Sequence, residues 1–170
     1  MMDGQDQTRR ILEFAQASGD VDTSVLQDCL RIGELSREVD LYVDHLLGRH
    51  GLSASRFTVL SSLFHAPASQ LTPAELAAVA QLTRPAITAA VDGLETIGYV
   101  RRLPHPTDRR KILVELTDEG RSFATDRLPK HYRSMVGIAA HLTDRERASL
   151  ARLYEKVLAG FRTVLDGEGV

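Results

Sequence analysis

Residues 72–117 read TPAELAAVAQLTRPAITAAVDGLETIGYVRRLPHPTDRRKILVELT. Thr72-Pro73-Ala74-Glu75 forms a complete capping box. The Thr72 hydroxyl can accept from the orphan N–H of Glu75, the Glu75 carboxylate can reach back to the N–H of Thr72, and Pro73 stands where no donor is missed. Leu76, Val79 and Ala80 follow at helical spacing. After Gln81-Leu82, Thr83 caps a second helix with Ile87, Val91 and Leu94 along one face, and Gly98 follows Ile97 at a helix-stop position. Arg84, Pro85, Thr88 and Ala89 occupy the opposite face in its first two turns. Two short helices joined by a few residues, the second exposing small, hydroxyl and basic side chains at its start, have the geometry of a helix-turn-helix. That arrangement sets the first residues of the second helix against base edges in a major groove. The same spacing also describes an ordinary helical hairpin with a solvated face, and these residues alone do not separate the two.

The next segment shifts the balance. Tyr99-Val100-Arg101-Arg102-Leu103 reads as a strand, Pro104-His105-Pro106-Thr107-Asp108 has turn chemistry, and Ile112, Val114 and Leu116 alternate with Leu113 and Glu115 as in a half-buried strand. Arg101, Arg102, Arg109, Arg110 and Lys111 stand against one acid, Asp108. Basic side chains on a hairpin beside a recognition helix make a wing that reaches phosphates and the minor groove. A plain solvated loop is the competing reading, and the neighbouring helices count against it.

Composition sets the frame. The chain has 170 residues, 43% of them hydrophobic and 26% charged, which fits one globular domain. Aromatic residues make up only 5% and Trp is absent, so the core must be aliphatic. A formal charge of −2 requires any positive field to be local, and the hairpin supplies one. Cys29 is the single cysteine, which excludes an intrachain disulfide framework and a Cys-based zinc ribbon. No apolar run spans a bilayer and no leader opens the chain, so a cytoplasmic protein without a membrane partner is expected.

Around the central module the pattern is helical. Residues 1–20 form an N-terminal extension whose only apolar cluster is Ile11, Leu12 and Phe14; a short helix and a frayed end remain equal readings. In 21–50, Val25, Ile32, Leu35, Val39, Tyr42 and Leu46 step along a stripe broader than one small core needs, which suggests a dimerisation helix. Ser53 caps a helix with Phe57, Leu60, Leu63 and Phe64, and residues 66–71 read as a loop. In 121–170, Phe123, Leu128, Tyr132, Met135, Ile138 and Leu142 give a buried face with Pro129 as a kink. Thr143-Asp144-Arg145-Glu146 then caps a last helix ending at Gly167. The expected fold is mainly α with a small β-hairpin wing: a winged helix-turn-helix lobe over 51–120, flanked by dimerisation helices. A homodimer would set two recognition helices about one DNA turn apart, roughly 34–36 Å.

With these parts in order, the sequence resembles the MarR family of bacterial winged helix-turn-helix regulators from about Val25 to Leu165. The strongest mark is Asp108-Arg109-Arg110-Lys111-Ile112-Leu113-Val114-Glu115-Leu116-Thr117-Asp118-Glu119-Gly120, similar to the family's wing signature. Leu94-Glu95-Thr96-Ile97-Gly98-Tyr99-Val100 is also typical. The resemblance implies a ligand-responsive, sequence-specific repressor acting on double-stranded DNA as a homodimer. It places recognition helix 83–97, with Thr83, Arg84, Pro85, Thr88 and Ala89 at its start, in the major groove and wing 101–111 at the minor groove. Arg110 would enter the minor groove with Asp108 orienting it; Arg102, Arg109 and Lys111 would hold phosphates. Many family members carry a basic or long polar residue where Ala89 stands, which shifts the expected weight to the wing or to a thymine methyl on Ala89.

The resemblance further implies a small aromatic or lipophilic effector between the dimerisation helices and the lobe, with Tyr42, Phe57, Leu60, Leu128 and Tyr132 as lining; core packing is their other reading. Cys29 lies eight residues before Arg37, similar to the reactive thiol of the family's organic-peroxide-responsive branch. That branch's tyrosines correspond to Val43 and Ala54, which donate nothing, so a buried inert thiol is the stronger expectation. The histidines His45, His50, His65, His105, His131 and His141 show no metal-ligand spacing, and no metal or cofactor is expected. No nucleophile elbow, phosphate loop or purposeful carboxylate pair points to an enzyme. The remaining alternative is a helical interaction module that does not bind DNA.

Overall fold

Caps set most helix starts. In the computed structural model, which describes residues 4–49 and 51–167, α1 (Gly4–Ser18) is followed by Asp22, whose carboxylate accepts from the N–H groups of Ser24 and Val25 to open α2 (Thr23–Gly48). Ser53 caps α3 (Ala54–His65), Thr72 and Glu75 close their capping box on α4 (Pro73–Ala80), and Thr83 caps α5 (Arg84–Thr96). Thr117 caps α6 (Asp118–Ala139), and Thr143 with Glu146 boxes α7 (Asp144–Asp166). Helix α6 continues through Pro129. His50 and residues 1–3 and 168–170 lie outside the described residues, and with them the outermost positions of the segments expected over 1–20, 21–50 and 121–170.

The hairpin strands are β2 (Val100–Pro104) and β3 (Ile112–Leu116), antiparallel with Arg102 opposite Val114 and Pro104 opposite Ile112. Pro104 therefore belongs to the strand and not to the turn; β2 is an edge strand, where a missing N–H costs no ladder bond. A further strand corrects the loop expected over 66–71. Here β1 (Gln70–Leu71) pairs with Glu115 and Val114, giving the order β1-β3-β2. Two residues carry no periodicity, so nothing in the sequence marks them as strand. The turn before β1 bends through Ala68 and Ser69 at φ 52° and 54°, and the buried Ser69 hydroxyl accepts from Arg121 of α6 at 2.7 Å.

The core lies in the central lobe. Leu52, Phe57, Leu60 and Leu63 meet Leu76, Ile87, Val91 and Leu94, and the sheet closes it with Val100, Val114 and Leu116. From α6 only Gly120, Ala124 and Leu128 are buried, and α7 buries nothing. Of the face expected over 121–170, Leu128 is buried as expected, Leu142 is partly covered, and the rest is not closed within one chain. Phe123 is half-buried against Tyr99, ring centroids 4.6 Å apart, whereas Tyr132, Met135 and Ile138 are exposed. Val25, Ile32, Leu35, Val39 and Tyr42 of α2 are exposed as well, as are Leu150, Leu153, Val157, Phe161 and Leu165 of α7. The short extension resolves as a helix: α1 lies on α2, with Ala15 buried and Phe14 exposed.

Candidate nucleic-acid interface

The turn between α4 and α5 is set by Gln81, which ends α4 in the left-handed region at φ 53° and donates its N–H to the Ala77 carbonyl. The next N–H, of Leu82, reaches the same carbonyl at 3.2 Å, so the chain reverses within two residues. Thr83 then accepts the Ala86 N–H at 3.4 Å. Ile87, Ala90, Val91 and Leu94 of α5 are buried, and this anchors the helix while Thr83, Arg84, Pro85, Thr88 and Ala89 stay exposed at its start. The Thr88 hydroxyl donates to the Arg84 carbonyl at 3.1 Å, and its side chain is exposed. The positive end of the helix dipole and the Arg84 cation coincide there, which favours an anionic partner.

At the wing tip, the His105 N–H donates to the Lys111 carbonyl at 3.2 Å and the Lys111 N–H to the Asp108 carbonyl at 2.9 Å. Asp108 Oδ1 accepts the main-chain N–H of Arg110 at 3.0 Å, so it shapes the tip through the backbone and not through the guanidinium. Its other oxygen lies 3.8 Å from Lys111 Nζ. Arg109 and Arg110 are exposed and make no ion pair among the described residues.

The remaining two basic residues are engaged, which corrects the picture of a hairpin opposed by one acid. Arg101 pairs with Glu115, whose carboxyl is held below its ordinary range by Arg101 first and by the Gln70 amide second. Arg102, expected at a phosphate, instead faces Asp92 and Glu95 on α5. The hydrogen bond to Asp92, and after it the charge of Glu95, holds the Arg102 proton more tightly than usual despite partial burial. Neither acid is expected as a partner from the hairpin's own residues. Their i,i+3 spacing beside a basic strand was the available signal.

The five residues expected to line an effector pocket are not brought together on a surface. Phe57, Leu60 and Leu128 are closed core, with Phe57 edge-on to His131 at 4.7 Å, so they offer no area to a ligand. Tyr42 is exposed on α2, and the Tyr132 hydroxyl lies 2.7 Å from His65 Nε2. An open apolar cleft of about 620 Å³ lies elsewhere, between α2 and α7, lined by Ile32, Val157, Leu158 and Phe161 among others. Cys29 lines it too and is exposed, against the expectation of burial; Tyr154 and Ser36 of the same cleft are joined at 3.1 Å. Among the described residues no helix is long and apolar enough to cross a membrane.

The MarR family model matches residues 52–112, from the start of the lobe to the first residue of β3. The HTH-type transcriptional repressor YetL of Bacillus subtilis is 31% identical over 145 residues, covering 85% of this chain and 87% of YetL. The multiple antibiotic resistance protein MarR of Escherichia coli K12 is 32% identical over 146 residues, covering 80% and 96%. Sco3205, a MarR family regulator from Streptomyces coelicolor solved in complex with DNA, superposes with a TM-score of 0.73 at 27% identity, covering 82% of this chain and 89% of that one. A mutant of E. coli MarR complexed with operator DNA superposes at 0.68 with 29% identity, covering 82% and 99%. With this identity sustained over most of both chains, the protein belongs to the MarR family.

Proposed function

We propose that this protein is a DNA-binding transcriptional regulator that acts as a homodimeric repressor in the cytoplasm, where its duplex partner lies, and that it binds DNA without catalysing a reaction on it. The observation that carries the reading is the joint exposure of the α5 start and of Arg109 and Arg110 at the wing tip. Thr83, Arg84, Pro85, Thr88 and Ala89 would enter the major groove, where Thr88 can bond a base edge and Ala89 can pack on a thymine methyl. Arg110 would enter the minor groove from a tip shaped by Asp108, with Arg109 and Lys111 on phosphates. Residues 51–120 then act as the DNA-binding lobe, and 21–50 with 121–170 as the dimerisation helices. Uncovered apolar residues on α2, α6 and α7 support the second copy. A small aromatic or lipophilic effector that favours a non-binding spacing of the recognition helices completes the reading, and family membership is its support.

The test is titration of the full chain against a duplex spanning the DNA upstream of its own gene, over a range of salt. Binding should weaken steeply as salt rises, and Arg110→Ala should lose roughly ten- to a hundredfold. Equal binding by Arg110→Ala and the parent would overturn the assignment.

A further inference from the structure

Arg102 is the third residue of β2, and its side chain is only 30% exposed. Its Nη2 lies 2.5 Å from Asp92 Oδ1, its Nη1 bonds Glu95 Oε2, and its main-chain N–H donates to Glu95 Oε1 at 3.2 Å. Asp92 and Glu95 stand one turn apart near the end of α5, so both carboxylates leave the helix on one side. A planar guanidinium can satisfy two such acceptors at once in a fixed geometry; an ammonium is a point charge that cannot hold the same fork.

We propose that Arg102 is a positioning residue for DNA binding: its fork clamps β2 to the last turns of α5 and so sets the angle between the recognition helix and the wing. The proposal rests on the reading above, that both elements engage one duplex. Two observations favour it over a phosphate contact. Two carboxylates against one guanidinium leave the cluster with a net negative charge, which repels phosphate. The hairpin is also a lever: at about 3.3 Å per residue the tip lies roughly 15 Å beyond Arg102, and a swing of about ten degrees at the base moves it by about 3 Å. That displacement is enough to lift Arg110 out of a groove only about 6 Å wide.

The experiment uses the full chain as Arg102→Lys and as the double variant Asp92→Asn/Glu95→Gln. Each is titrated against the duplex named above at several salt concentrations, with hydrogen exchange followed across residues 100–112 in the free protein. Both variants should lose about fivefold in affinity and exchange faster in the wing. The double variant is diagnostic, because removing two negative charges beside DNA would otherwise tighten binding. Binding by it equal to or tighter than the parent overturns the clamp, as does Arg102→Lys binding like the parent. A third variant, Arg102→Ala, titrated in the same way, would mark a lost phosphate contact and overturn the clamp as well if it lost affinity with wing exchange unchanged. Melting curves separate a loosened wing from a lost fold, and the near-isosteric acid variants carry the test if Arg102→Lys unfolds. A parent that ignores the duplex would sink the functional reading, while unchanged wing exchange in both variants would sink the clamp.

Discussion

At the scale of single residues, Gly120 shows how a local constraint links the sheet to the helix behind it. Thr117 donates its hydroxyl to the Gly98 carbonyl at 2.7 Å and its N–H to the Tyr99 carbonyl at 3.0 Å, drawing the first turn of α6 onto the start of β2. Gly120 sits in that turn, where a Cβ would run into the Tyr99 carbonyl. The neighbour is backbone and cannot swing aside, so Gly120→Ala should destabilise the fold by about 1–3 kcal/mol, read from chemical denaturation. A variant as stable as the parent would show that the turn can open. Thr117 and Gly120 were legible as a family pattern in the sequence, whereas their purpose, a close approach of two main chains, needed the structure.

At the scale of elements, carboxylates at the caps tie stability to pH. The Thr72 N–H, and after it the Thr72 hydroxyl, hold the Glu75 carboxyl below its ordinary value of 4.5; Glu146 is lowered in the same way by Thr143. A carboxyl depressed in the folded state contributes fully above its unfolded value and loses that contribution as pH falls through the folded one. Helix α4 should therefore loosen on acidification below about pH 4.5, and Glu75→Gln should flatten the acid limb of the melting-temperature profile. An acid limb identical to the parent's would show that the box carries no pH dependence. Both boxes were readable from four residues each, because capping is local chemistry. Strand β1 was not, because its residues are strand only through their pairing with Glu115 and Val114.

For the whole molecule, the decisive feature is the apolar surface of α2, α6 and α7. Single chains seldom leave contiguous apolar patches beyond a few hundred Å² uncovered, and here Val136, Val164 and Leu165 are 65–73% exposed, with Met135, Leu153 and Val157 exposed as well. A second copy would also cover the cleft between α2 and α7. Leu153→Glu with Val157→Glu should accordingly yield a monomer in sedimentation, and lose DNA affinity by more than about tenfold because each half-site is then bound alone. A dimer that survives both charges would place the interface elsewhere.

The sequence by itself determined the caps, the helix-turn-helix spacing, the hairpin and the excess of apolar stripe at both ends, since each depends on residues within a turn or two of one another. Only the tertiary structure decided which cations are spent inside the molecule and which face outward. Arg102 and Arg110 look alike in the sequence, yet Asp92 and Glu95 bind the first across the fold and no carboxylate pairs with the second among the described residues. The same holds for burial. Phe57 and Tyr42 carry similar apolar rings, and the packing of α3 against α5 and α6 closes one while α2 leaves the other open, because coverage is a property of neighbours brought from far along the chain.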